Sequence, residues 1–328
     1  MSRRLLVFAP NWLGDAVMAL PAVADVRRGS PGAVIDLAAR PSIAPLVPLV
    51  PGVDQVVVLG SRAESVEAVR RGGYDAVLLL PNSFNTAWIA RRAGVAERWG
   101  YRNEFRSMLL TRAVPPPVRV HQAAYYQHLT TALGFAPGPL EPRLEVPPDL
   151  RVVGADRLAE AGWDSATPLV AMAPGAAFGS AKRWPPARFA ATIDGLARDG
   201  VRTVLVGAPA DARAAAEVTA LVHSGLRPID LVGKTDLSTL AGVLTRCRAL
   251  VTNDSGAMHF AAALGTDVTA VFGPTNEHET RPLGTGRLSV LHGDVWCRPC
   301  MLRECPLTHR CMQRVEPVTV LDDVRRSL

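Results

Sequence analysis

Residues 249–274, ALVTNDSGAMHFAAALGTDVTAVFGP, decide how this chain folds. The apolar run 249–252 has the length and side-chain types of a buried strand. It stops at Asn253-Asp254-Ser255-Gly256, residues suited to a helix start. Small residues over 257–264 then predict an amphipathic helix, and 268–272 a second apolar strand. A strand that feeds directly into a helix leaves first-turn N–H groups without intrahelical acceptors. It also brings the positive end of the helix dipole to the same point. That geometry suits a phosphate, and small side chains let a bulky anion approach the backbone. An ordinary capped helix in an α/β unit would read the same way from this segment alone.

A second segment narrows the choice. Residues 169–185, LVAMAPGAAFGSAKRWP, again run from an apolar strand into a loop of small residues, this time with a lysine in it. The chain holds 34 arginines but only two lysines, Lys182 and Lys234. In so Arg-biased a sequence, a loop lysine points to a site that wants a compact point charge. No G-x-x-x-x-G-K-[S/T] pattern occurs, so any diphosphate held here is held without a Walker-type loop.

The first half alternates expected strands (5–9, 33–38, 55–59, 76–80) with expected helices (16–28, 63–71, 86–92, 122–133). That order predicts a parallel sheet with helices on both faces. Pro21 should kink or restart the first helix. The proline-rich stretch 137–148 reads as a linker, a short helix over 152–161 follows, and a second βαβ series runs over 169–272. We therefore expect an N-terminal domain over 1–150 and a C-terminal domain over 151–328, with a cleft between them and ligands at the carboxyl ends of strands. Asp15 follows the first strand in the loop Pro10-Asn11-Trp12-Leu13-Gly14. It is either a helix-capping group or a general base. The loop is not G-x-G-x-x-G, which argues against a dinucleotide oxidoreductase.

Composition bounds the rest. With 48% apolar and 20% charged residues, 328 residues make a well-cored globular chain. No apolar run reaches the ~18 residues needed to span a bilayer. The N-terminal apolar run ends at Pro10-Asn11, and Asp15 stands where a signal peptide would continue, so a cytoplasmic location is expected. Residues 1–147 carry 16 arginines against 11 acidic residues, whereas 148–328 are near balance with 20 basic and 19 acidic. Seven arginines crowd into 91–119: Arg91, Arg92, Arg98, Arg102, Arg106, Arg112 and Arg119. Such a face suits a large anionic partner or is simply solvated. No nucleic-acid-binding motif accompanies it, so nucleic acid is not expected.

Near the C-terminus, WCRPCMLRECPLTHRCMQ holds Cys297, Cys300, Cys305 and Cys311, with His309 among them. Four thiols have the ligand count of a structural zinc or iron–sulfur site. The spacing after C-x-x-C matches no standard zinc module, and reduced thiols packed in a loop are the expectation.

Together these segments resemble glycosyltransferase family 9, the ADP-heptose:lipopolysaccharide heptosyltransferases. NWLGDAVMALPAV, PGAAFGSAKRWP and NDSGAMHFAAALGTDVTAVFGPT carry the resemblance, in the family's order. LLLPNSFNTAW (78–88) and GYRNEFRSMLL (100–110) look like its type II members. The resemblance implies a GT-B fold, two facing Rossmann-like domains, and metal-independent inverting transfer from ADP-heptose to the heptose of an anionic lipopolysaccharide inner core. The family's catalytic aspartate falls on Asp15, its diphosphate lysine on Lys182, and its D-[S/T]-G-x-x-H motif on Asp254, Ser255, Gly256 and His259. Asp254, itself anionic, is expected at sugar hydroxyls, and His259 at the phosphate, at Asp254 or in the core. Ala177-Phe178 stand where some members have paired threonines. The basic first half would then bind the acceptor and touch the inner membrane peripherally. A family 9 transferase with another acceptor, a sugar-nucleotide epimerase on the same fold, and a nucleotide-binding regulator with a decayed site are the alternative readings.

Overall fold

The computed structural model describes residues 2–328, and the chain divides after Glu145 into two compact units. The first unit holds strands β1 (Arg4–Phe8), β2 (Val34–Ala39), β3 (Gln55–Val58), β4 (Ala76–Leu79), β5 (Glu97–Tyr101) and β6 (Arg112–Val114). Its helices are α1 (Leu13–Met18), α2 (Leu20–Gly29), α3 (Arg62–Gly72), α4 (Phe84–Arg92) and α5 (Gln122–Ala132). The second unit holds β7 (Leu169–Ala173), β8 (Arg202–Leu205), β9 (Ile229–Asp230), β10 (Ala249–Asn253), β11 (Asp267–Phe272) and β12 (Leu288–His292). Its helices are α6 (Pro148–Glu160), α7 (Pro186–Arg198), α8 (Ala212–Ala220), α9 (Leu237–Leu244), α10 (Gly256–Ala263), α11 (Glu277–Thr280), α12 (Arg310–Gln313) and α13 (Pro317–Arg325).

Both sheets are parallel and share one topology. The strand orders are β3-β2-β1-β4-β5-β6 and β12-β11-β10-β7-β8-β9, the doubly wound order with its reversal beside the first strand of each unit. Central strands are largely apolar because helices cover both faces; β7 and β10 are buried at every residue. Register is set locally: Leu5 lies opposite Ile35 and Ala76, and Ala249 opposite Val170 and Asp267.

Several expectations changed in detail. The first helix begins at Leu13 and breaks at Ala19, with Pro21 in the first turn of α2. Asp15 therefore lies inside the first turn, not ahead of the helix. The proline-rich stretch is no free linker. Gly138 N–H donates to the fully buried carboxylate of Asp25 at 3.0 Å, and Glu145 N–H to the Leu49 carbonyl at 2.9 Å. Pro147 and Pro148 open α6, four residues before the expected helix, because proline suits a first turn whose N–H groups are unused anyway.

The largest departure is in the arginine-rich segment, where sequence reading found no strands. β5 and β6 lie there, their alternation hidden by Glu97, Arg98 and Arg112. Two of the seven arginines belong to the framework rather than to a basic face. Arg98 donates to the carbonyls of Leu109, Val95 and Ala96. Arg106, only 1% exposed, donates to those of Leu79 and Pro81 at the end of β4. Burial pushes its guanidinium down to about 10, and it tethers the loop after β5 to the sheet. Arg91, Arg92, Arg102, Arg112 and Arg119 stay exposed. Among the described residues no helix is long and apolar enough to cross a membrane.

In the second unit α6 and α9 touch backbone to backbone through glycines. A Cβ at Gly242 would lie 2.0 Å from the Leu150 carbonyl oxygen, and one at Gly154 would lie 2.1 Å from the Gly242 carbonyl carbon. Gly242→Ala should therefore lower stability by ~1–3 kcal/mol through overpacking, although alanine is the better helix former. Urea denaturation measures this; an unchanged or raised midpoint would mean the helices separate without cost.

Candidate active site

At the reversal point of the second sheet, β7 and β10 lie side by side, and the loop after β7 meets the helix start after β10. Asn253, the last residue of β10 and fully buried, joins them. Its side-chain amide donates to the carbonyls of Pro174 (2.9 Å) and Gly175 (3.2 Å), and its Oδ1 accepts from Trp184 N–H at 2.9 Å. One side chain thus holds both the beginning and the end of the 174–184 loop. The buried Trp184 indole donates in turn to the Val315 carbonyl at 3.0 Å.

That clamp sets Lys182. Its ammonium lies 2.6 Å from Oδ2 of Asp254, with both side chains largely buried, and Thr275 donates to the same oxygen at 2.5 Å. Asp254, expected at sugar hydroxyls, holds Lys182 from within the protein. Ser255 caps α10 through its backbone, while its hydroxyl pairs with that of Thr252 at 3.1 Å. Gly256 is the first residue of α10, so the amides of the first turn open beside the Lys182–Asp254 pair. His259 lies one turn further, 4% exposed, a packed position. The structure therefore gathers Lys182, Asp254, Ser255 and Gly256 at one place.

The cysteine-bearing segment straps these loops. Arg303 carbonyl accepts from Ala181 N–H at 3.0 Å, and Met301 N–H donates to the Pro274 carbonyl at 2.9 Å. Gly179, at φ 159°, makes room for this: a Cβ there would lie 2.2 Å from the Arg303 carbonyl oxygen. Arg298 donates to the Gly273 carbonyl (2.6 Å) and to Glu277 (2.8 Å). Cys297, Cys300, Cys305 and Cys311 all line one cavity of about 660 Å³, together with His292 and Arg298. All are free thiols, and burial, then the neighbouring thiols, pushes that of Cys311 up. Among the described residues, no three His, Cys, Asp or Glu side chains stand so as to hold a metal ion.

In the first unit, Asp15 lies in the first turn of α1, at the carboxyl end of β1. The helix cap is Trp12, which makes no side-chain capping bond, so Asp15 is not the cap. Its charge lies within electrostatic reach of Tyr126 on α5. Burial, then the charge of Asp15, pushes the Tyr126 phenol well above its ordinary range, so it remains a donor at neutral pH. Tyr126, Thr275 and the clamping role of Asn253 were missed in the sequence. Thr275 could have been suspected from the polar residues after β11; nothing marked Tyr126 out from its neighbour Tyr125.

Residues 62–310 match glycosyltransferase family 9 (heptosyltransferase). The chain is 31% identical over 302 residues to lipopolysaccharide heptosyltransferase 2 of Salmonella typhimurium, covering 85% of each protein. Lipooligosaccharide heptosyltransferase 2 of Haemophilus influenzae is 30% identical over 300 residues, with 85% of this chain and 86% of that protein covered. The structure of the Escherichia coli ADP-heptose lipopolysaccharide heptosyltransferase II superposes with a TM-score of 0.86 at 28% identity, over 99% of this chain and 98% of that one. The two parallel sheets are thus those of a GT-B enzyme, and the chain belongs to glycosyltransferase family 9, the heptosyltransferases.

Proposed function

We propose that this enzyme moves L-glycero-D-manno-heptose from ADP-heptose to the heptose of a lipopolysaccharide inner core, with inversion. One observation carries the reading. An ammonium is fixed beside the first turn of a helix at the sheet's reversal point, in a chain 31% identical to heptosyltransferases 2. A leaving diphosphate needs such a preorganised positive environment.

In this reading the acceptor oxygen attacks the anomeric carbon as the bond to the ADP oxygen breaks. ADP leaves with the electron pair, and its growing charge meets Lys182 and the amides of Ser255 and Gly256. Asp15 takes the acceptor proton late, when bond formation has made it acidic. In this reading the positive charge that meets the diphosphate comes from the protein's own side chains and helix amides, and the transfer proceeds without metal. The exposed Arg102, Arg112 and Arg119, with exposed Phe105 and Met108 in the same stretch, suit an anionic glycolipid at the cytoplasmic face of the inner membrane. Incubation with ADP-heptose, with and without a heptose-bearing acceptor, tests this. Mass spectrometry should find acceptor plus one heptose; heptose released or isomerised without acceptor would favour an epimerase, and no turnover a binding protein.

Asp15→Asn should lower turnover ~10²–10⁴-fold, the usual contribution of a general base, while ADP affinity stays unchanged. Near-normal turnover of the variant would remove Asp15 from the chemistry.

Reversing Arg102 and Arg119 to glutamate should raise the KM for acceptor more than that for ADP-heptose, and the difference should shrink at high salt. Equal rises in the two KM values would place the acceptor elsewhere. Arg98 and Arg106 are unsuitable for this test because their guanidinium groups hold backbone carbonyls.

The cysteines are assigned to structure, not to chemistry. Cys311→Ser buries a hydroxyl in place of a thiol and should cost about 1–3 kcal/mol of stability while leaving turnover per folded molecule intact. Full activity in EDTA, with zinc and iron far below one equivalent by elemental analysis, is the companion expectation. A stoichiometric metal, or a stable but inactive Cys311 variant, would contradict this assignment.

A further inference from the structure

The charge on the loop that holds Lys182 is smaller than its sequence suggests. The ammonium is matched by the carboxylate of Asp254 at 2.6 Å, so the pair is close to neutral. The first turn of α10 adds only about half an elementary charge. A nucleoside diphosphate sugar brings two negative charges, so a further cation is needed.

The strap supplies one. The guanidinium of Arg303 lies over the Phe178 ring, 5.3 Å from its centroid, and the Lys182 ammonium lies 4.7 Å from the same centroid. Phe178 therefore gathers two cations at one place in the loop, an arrangement that a ring face favours. Arg303 is anchored at both ends: its carbonyl accepts from Ala181 N–H at 3.0 Å, and its side chain rests on the ring. The side chain is exposed, and among the described residues it has no carboxylate partner. Arg183, the next cation along the loop, lines a separate hollow with Trp184 and Glu217.

We propose that Arg303 is a second cationic contact for the donor's diphosphate, held on Phe178 beside Lys182. It is thus a binding residue contributed by the cysteine-bearing strap. The inference rests on the donor reading above and extends it to residues outside the three motifs. It also accounts for Phe178, which offers no hydroxyl to a phosphate and acts instead as a platform for cations.

Titration calorimetry of ADP with the unaltered protein and four variants tests this. Arg303→Ala keeps the backbone carbonyl that Ala181 uses, so the loop remains tied. It should weaken ADP binding about tenfold or more, the usual effect of losing a charged hydrogen bond. Arg303→Lys should restore most of that affinity, which loss of packing alone would not allow. The salt dependence of ADP affinity should be shallower in Arg303→Ala than in the unaltered protein. Phe178→Leu should weaken binding, and Arg303→Ala should then cost less in the double variant than alone. Unchanged ADP affinity in Arg303→Ala, or a lysine variant as weak as the alanine one, overturns the proposal. Should the unaltered protein fail to bind ADP, the donor reading itself falls, and this inference with it.

Discussion

The second unit depends on a buried carboxylate that has to be paired. Asp254 is 4% exposed, and an unpartnered charge at such a position would be strongly destabilising. Lys182 and Thr275 meet it from two different loops, so its neutralisation draws the loops after β7 and β11 onto the start of α10. A local electrostatic requirement thereby fixes the geometry of three segments far apart in the chain. The same pairing moderates the positive potential of the site. The lysine is held firmly, but most of its charge is already answered, and the helix amides and any further cation gain importance for an anionic ligand.

Asn253 and the cysteine-bearing strap complete this arrangement by hydrogen bonds to backbone. Three bonds from one fully buried amide secure the 174–184 loop at both ends. The strap holds the loop's middle through Ala181 and the loop after β11 through Pro274 and Gly273. A loop of small residues would otherwise be soft. Here its backbone groups are satisfied by distant parts of the same unit, and phosphate chemistry can be preorganised without a regular secondary structure to carry it. The thiols fit this picture as apolar lining of a strap whose positioning is done by Arg298, Met301 and Arg303.

The first unit shows the limit of counting charges. Its excess of arginine reads as one basic face, yet Arg98 and Arg106 spend their donors on carbonyls inside the framework. What remains for a partner is the exposed subset, mixed with exposed apolar side chains. The charge of Asp15 reaches Tyr126, on a helix more than a hundred residues away in the chain.

The sequence by itself determined the two doubly wound units, because long apolar runs separated by amphipathic segments allow little else. It determined the helix start at Ser255 and the exceptional lysine, because strand-to-helix punctuation and a biased composition are local signals. It also carried the family, through motifs that need no three-dimensional information. Tertiary structure alone decided that Asp254 pairs with Lys182, that Asn253 is a clamp, that Arg106 is interior, and that the last two strands of the first sheet lie within an arginine-rich stretch. Each of these depends on a partner between 13 and 79 residues away. Burial and pairing across such distances follow from packing, which leaves no periodic trace in the chain.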